Sequence, residues 1–351
     1  MKALSLRSIF FGLITAVMVQ SCGDSDGGGD MSPAGINVPA GSAHEWLSDY
    51  NFFLGDMVDL NPNTEAGILP YDLNNPLFSD YAKKKRFIYI PNGQQIEYAA
   101  QGTLNLPVGS VLIKHFYYGQ DDYVETRLLI RKANGWQPET YIWNDDLSDA
   151  KRTVLGGSQQ MSIDVNGEET VFTYKIPNQN ECKNCHAMNG DINPIGPKVA
   201  NLNKSYSYAS GSMNQIDKWV AEGMMSSSSG TIPSWPAVTD LSAPIANRAK
   251  AYLDSNCSSC HRREGSAANS GLYLEFENTD ELSSGIWKTP VAAGDGSGGL
   301  KYVIHPGNAE ESILWYRINS SEVEVRMPEL GRELIHAEGV DLIRDWINSM
   351  D

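Results

Sequence analysis

The sequence predicts a multidomain chain, an N-terminal mostly antiparallel β domain followed by two mostly α regions. Two observations lead there. The run Cys182-Lys183-Asn184-Cys185-His186 is echoed by Cys257-Ser258-Ser259-Cys260-His261, so C-x-x-C-H occurs twice in 351 residues. Before the first motif, short β-branched and aromatic runs dominate; after it, apolar residues fall at helical spacing.

In C-x-x-C-H the two thiols can add to the two vinyl groups of a haem, and the adjacent histidine then reaches the iron from the same side. The alternative is zinc, because two C-x-x-C pairs offer four thiolates. Zinc leaves both following histidines, out of 6 in the chain, without a role. The motifs therefore imply two covalently bound haem c groups, with His186 and His261 as axial ligands.

Residues 1–22 read as a lipoprotein signal peptide. Lys2 and Arg7 precede an apolar run too short to span a bilayer. Val19-Gln20-Ser21-Cys22 resembles the lipobox of bacterial lipoproteins, with Gln20 an unusual choice, and makes Cys22 the lipidated residue. The alternative is an ordinary secretory signal. Both readings export the chain to the cell envelope. Residues 23–40 form a flexible acidic linker. A net charge of −16 and a pI near 4.8 argue against nucleic acid and suit a basic redox partner.

The β domain is expected over 41–177. Strands are expected at 87–90, 111–118, 124–130 and 140–143, and a hairpin at 161–175 turns on Asn166-Gly167. No catalytic constellation is visible there. Lys83-Lys84-Lys85-Arg86 reads as a solvated turn face, with a docking patch or a haem-propionate partner as alternatives. His44 and His115 read as ordinary surface or core residues.

The first haem region is expected over 178–240 and the second over 241–351. Gly196-Pro197, eleven residues beyond His186, resembles the Gly-Pro of class I cytochromes c, where a proline carbonyl accepts the hydrogen bond of the ligating histidine. A short helix is expected at 213–225. In the second region a helix led by Pro244 delivers the motif at its C-terminal end, a helix is expected at 308–318, and Val340, Ile343 and Ile347 mark a final one. With Arg326-Met327-Pro328 between them, these elements resemble a class I cytochrome c domain. That resemblance implies Met327 as the sixth ligand of the second haem, a soft thioether that raises the potential; packing alone is the alternative. For the first haem, Met213, Met224, Met225 and His115 all remain open as sixth ligands, as does none.

At larger scale the chain resembles a family of envelope dihaem c-type cytochromes. The stretches that carry this are Leu69-Pro70-Tyr71-Asp72-Leu73-Asn74, Pro76-Leu77-Phe78-Ser79-Asp80-Tyr81-Ala82, Glu125-Thr126-Arg127-Leu128-Leu129, Tyr141-Ile142-Trp143-Asn144 and Ile195-Gly196-Pro197. The resemblance implies two cytochrome c-type haem domains and electron transfer, and brings no substrate. The expected function is thus electron transfer in the cell envelope. The alternative is a dihaem peroxidase-like enzyme with an open first haem.

Overall fold

A computed structural model describes residues 35–351, apart from 121 and 292. Residues 1–22 with Cys22, and most of the linker, lie outside the described residues. The backbone centres on a six-stranded antiparallel sheet in sequential order: β1 (Ile68–Tyr71), β2 (Lys83–Tyr89), β3 (Val111–Tyr118), β4 (Asp122–Lys132), β5 (Gly135–Trp143) and β6 (Ala150–Thr153). A separate hairpin follows, β7 (Gly157–Val165) and β8 (Glu168–Ile176). Asn166 and Gly167 form its turn, both with positive φ as a tight hairpin demands.

Strand alternation gives the sheet two unlike faces. On one, Phe87, Val111, Ile113, Leu128, Ile130, Tyr141 and Trp143 pack against Leu47, Tyr50, Phe52 and Phe53 in an unbroken apolar core. On the other, the apolar cover comes in two patches. Leu69, Ile88 and Leu112 lie under Val199, Leu202, Trp219, Met224 and Met225. Phe116 and Tyr118 lie under Met161, Phe172 and Tyr174. Between the patches, Arg86, Lys114 and Arg127 stand opposite one another on β2, β3 and β4. Lys83-Lys84-Lys85-Arg86 is therefore strand rather than a solvated turn. Alternation sends Arg86 inward, 5% exposed, while Lys85 lies over the rings of Tyr117 and Tyr123.

The two mostly α haem domains are not found. The chain is mostly β, with 20% helix against 27% strand. After β8 come α1 (Gln179–His186), α2 (Val199–Leu202) and α3 (Gln215–Ala221), interleaved with two small hairpins. Pro194, Gly196 and Pro197 break the chain between α1 and α2, and Gly223, at positive φ, follows the end of α3. The second region holds α4 (Ile245–Asn256), α5 (Ile313–Ile318) and α6 (Ala337–Asn348) among long irregular loops. Helix α4 follows Pro244 and buries Ala249 and Leu253, as the sequence suggests. Helix α5 begins only at Ile313, because residues 308–312 form a turn in which Ser312 bonds the carbonyl of Asn308 at 2.9 Å.

The loop between β1 and β2 stitches these parts to the sheet. Asn74 N donates to Asn201 O at 2.8 Å, and Asn75 Oδ1 accepts from Val238 N at 2.9 Å. Phe78 N donates to Asn256 Oδ1 at 2.8 Å, one residue before Cys257. Asp80 Oδ1 accepts from Glu333 N and Leu334 N, both at 2.7 Å. This loop carries part of the family-like sequence, and its polar residues are spent on cross-links. Asp80 is 3% exposed, so Asp80→Ala would strand two amides. We expect a loss of about 2–4 kcal/mol in denaturant unfolding at unchanged m value; a loss below about 0.5 kcal/mol would contradict this role.

Candidate haem-attachment site

Helix α1 exists to present the first motif. Asn178 caps it, accepting from Asn180 N and Glu181 N at 2.9 and 3.0 Å, while Glu181 Oε2 accepts from Asn178 N at 2.9 Å. This reciprocal capping starts a helix in a stretch with no buried residue. Cys182, Cys185 and His186 then share one helical face at i, i+3 and i+4. The second motif follows α4 in a continued turn: Cys257 N bonds Leu253 O at 2.8 Å and His261 N bonds Cys257 O at 2.9 Å. Gly265 closes the turn where a Cβ would collide with the Cys260 carbonyl.

The two motifs meet. The thiols of Cys185 and Cys260 lie close enough to act on each other, and Cys260 is held below the ordinary thiol range by that interaction, while Cys185 is pushed up. Three residues beyond each histidine, Asn189 N donates to Glu264 O at 2.9 Å. Equivalent positions of the two motifs thus contact one another. Cys182 and Cys257 are raised chiefly by burial, Cys257 to about 12. No three or more His, Cys, Asp or Glu side chains converge as a metal-holding group among the described residues. The four thiols form a pair with two flanking members, not a closed tetrahedral set.

Each histidine has the arrangement of an oriented ligand. His186 Nδ1 lies 2.7 Å from Asn193 O. A carbonyl only accepts, so Nδ1 carries the proton and Nε2 keeps its lone pair for a metal. The acceptor expected at Pro197 is found at Asn193 instead, and the Pro197 carbonyl accepts from Leu104 N at 2.9 Å. His261 hydrogen-bonds the backbone of Leu272, with Ser270 Oγ 3.4 Å from Nδ1. Leu272 stands eleven residues beyond His261 after a glycine, the spacing Pro197 has from His186; that repeat in spacing was the signal available in the sequence. Both imidazoles are lowered to about 4, first by burial, then for His186 by Lys114, Arg127 and Arg262 despite the opposing bond to Asn193, and for His261 by Arg317. They are neutral at pH 7, the form that binds metal.

Met327 packs at the edge of the same apolar cluster as Cys257, together with Leu253, Leu272 and Ile343. Its amide bonds Arg317 O at 3.0 Å, and the charge of nearby Glu329 reaches Cys260. Arg332 Nε secures the Met327 carbonyl at 3.1 Å. The methionine loop therefore lies beside the second motif.

The first motif's other candidates do not gather at His186. Met213 is 42% exposed on a hairpin, and Met224 and Met225 are core residues around Trp219. His115 lies on the opposite sheet face, its Nδ1 3.0 Å from Thr126 Oγ1 among Tyr123 and Trp143, and burial lowers it to about 3. None of the four lines the cavity of ≈ 120 Å³ beside His186. That cavity is bounded by Leu77, Leu112, Leu129 and Ile195, and by Arg86, Lys114 and Arg127. Apolar walls, partly buried thiols, an Nδ1-protonated histidine and three nearby cations form a donor set that fits haem c. A porphyrin is larger than the cavity, which would enclose one edge of it.

Comparison with protein-family models, with curated proteins and with solved structures gave no match.

A buried ion pair joins the two motif-bearing segments: Lys198 Nζ, beside Pro197, lies 2.6 Å from Asp254 Oδ1 of α4, with side chains 9% and 2% exposed. Asp254 Oδ2 also accepts from Phe276 N at 2.9 Å. Lys198→Met should cost about 3–5 kcal/mol by leaving a buried carboxylate unpaired. Adding Asp254→Asn, which keeps the acceptor and removes the charge, should restore at least half, as read by chemical denaturation; no recovery would contradict the pairing.

Proposed function

We propose that this chain is a dihaem c-type cytochrome that carries out electron transfer in the cell envelope. The observation that carries the reading is the contact between the two motifs, Cys185 against Cys260, with an oriented histidine in each. Haem bound there would supply one-electron redox chemistry. Cys182, Cys185, Cys257 and Cys260 would attach the two groups, and His186 and His261 would ligate them through Nε2. Met327 would complete the second site. The loops behind Asn193 and Leu272 hold each ring in one tautomer, and the sheet supplies one wall of the cavity beside His186.

The −16 charge suits a basic redox partner steered by long-range attraction. Cys22 would tether the protein to a membrane; a Cys22→Ser variant that stays in the membrane fraction would exclude this. No helix of the described residues is long and apolar enough to cross a membrane.

A second reading, a dihaem peroxidase-like enzyme, is favoured by the His186 cavity, which no methionine or second histidine lines. Carbon monoxide separates the two. Binding by the reduced protein that His186→Ala abolishes supports the enzyme; no binding supports electron transfer.

Protein matured where haem is attached should keep its haem absorbance after denaturation and exceed the polypeptide mass by two haems. A colourless chain holding one zinc would refute the reading. Met327→Ala should lower one of two midpoint potentials and leave the other in place; unchanged potentials would remove Met327 from the iron.

A further inference from the structure

The cations on the sheet face turned to His186 are arranged in a way the fold alone does not explain. Arg86 pairs with Lys114, and Lys114 with Arg127, directly across β2, β3 and β4. Lys84 stands two residues before Arg86 on the same side. Like charges directly opposite in a sheet repel and destabilise it. Three carboxylates are close, and all are committed; Asp80, whose charge reaches Lys84, already accepts from Glu333 N and Leu334 N. Asp72 lies 2.9 Å from Arg86 Nη1 and is shared with Lys204 at 3.1 Å. Glu125 takes Arg127 Nε at 2.8 Å and the Tyr174 hydroxyl at 2.7 Å.

The rest of the row is short of partners. Lys84 has the Leu77 carbonyl at 3.2 Å. Lys114 has the face of the Phe116 ring, 4.7 Å from its centre. Arg86 is 5% exposed and its Nη2 is without a hydrogen-bond partner. A buried guanidinium nitrogen left in this state is costly. Burial, reinforced by neighbouring positive charge, lowers the Lys84 amine to about 7 and the Lys114 amine well below its usual range. Arg86, Lys114 and Arg127 all line the cavity with His186; on its far wall Lys198 and Asp254 neutralise each other.

We propose that Arg86, Lys114 and Arg127, with Lys84 at their edge, form an anion site beside His186 that takes a carboxylate or a small oxyanion. The space of ≈ 120 Å³ equals about four waters, enough for such a group and too small for a nucleotide. Two sources share this chemistry: a propionate of the first haem, which rests on the reading above, and a free anion of the nitrite or sulfite class, which does not.

The test uses the matured protein and two separate variants, Arg86→Gln and Lys114→Gln, with haem content measured by mass in each. If the anion is free, nitrite or sulfite shifts the wild-type haem spectrum saturably, and the dissociation constant rises about tenfold or more in each variant. If it is a propionate, added anion produces no shift, and both variants lower one midpoint potential while the other holds. The proposal is overturned if both variants keep both potentials and neither anion binds. It is overturned also if Lys114→Gln alone changes the spectrum and Arg86→Gln is silent, which would make Lys114 an iron ligand. Should the chain carry no haem, that reading fails by itself. Calorimetric titration with nitrite and sulfite then decides the site: Arg86-dependent binding supports it and no binding overturns it.

Discussion

Two stretches of chain seventy-five residues apart meet at the thiols of Cys185 and Cys260, and the arrangement of the rest follows from holding them there. One stretch comes on a capped single helix with no buried face of its own; the other follows a well-buried one. Neither would keep its place by helix propensity. The Lys198–Asp254 pair, the Asn189–Glu264 backbone bond and the loop between β1 and β2 bind both stretches to the same sheet. The consequence is electronic. Cys185 and Cys260 would hold two haems near one another, and haem there would supply one-electron redox chemistry.

The sheet does more than support the motifs. Its face turned from His186 is mostly an ordinary apolar core, with His115 and Thr126 buried in it. Its other face is apolar at two ends and cationic between them, and the cationic strip is what faces His186. Burying such a strip costs stability unless something negative neutralises it. A cofactor with acidic side chains, or an anion arriving from outside, meets that need at the position where the first motif opens. Apolar patches flank the strip, Leu112 and Leu129 on one side and Phe116 and Tyr174 on the other, and within it only Arg86 is buried.

Much of the site was legible in local sequence, because attachment motifs, turn residues and strand alternation act over a few residues. The Asn166-Gly167 turn and the start of α4 after Pro244 are of that kind; Met327, 66 residues beyond His261, was expected beside the second motif only through the resemblance to class I cytochromes c. What was not legible depends on contacts far apart in the chain. The run Lys83–Arg86 looks like solvated charge until β3 is placed beside it. Asn193 rather than Pro197 receives His186, and the Pro197 carbonyl instead accepts from Leu104, a residue more than ninety positions earlier. The two expected α domains failed for a related reason. Helical spacing in 178–240 comes in fragments cut by Pro and Gly, and those fragments find their burial against the sheet instead of against each other.

The central proposal is that the two motifs would hold two haems close to one another, and electron paramagnetic resonance during a stepwise reductive titration tests it most directly. The account predicts that the signal of each oxidised haem is altered by its neighbour, sharpening or shifting when the other haem is reduced. Two signals that keep the same shape and relaxation at every stage of reduction would show that the sites are independent and contradict it.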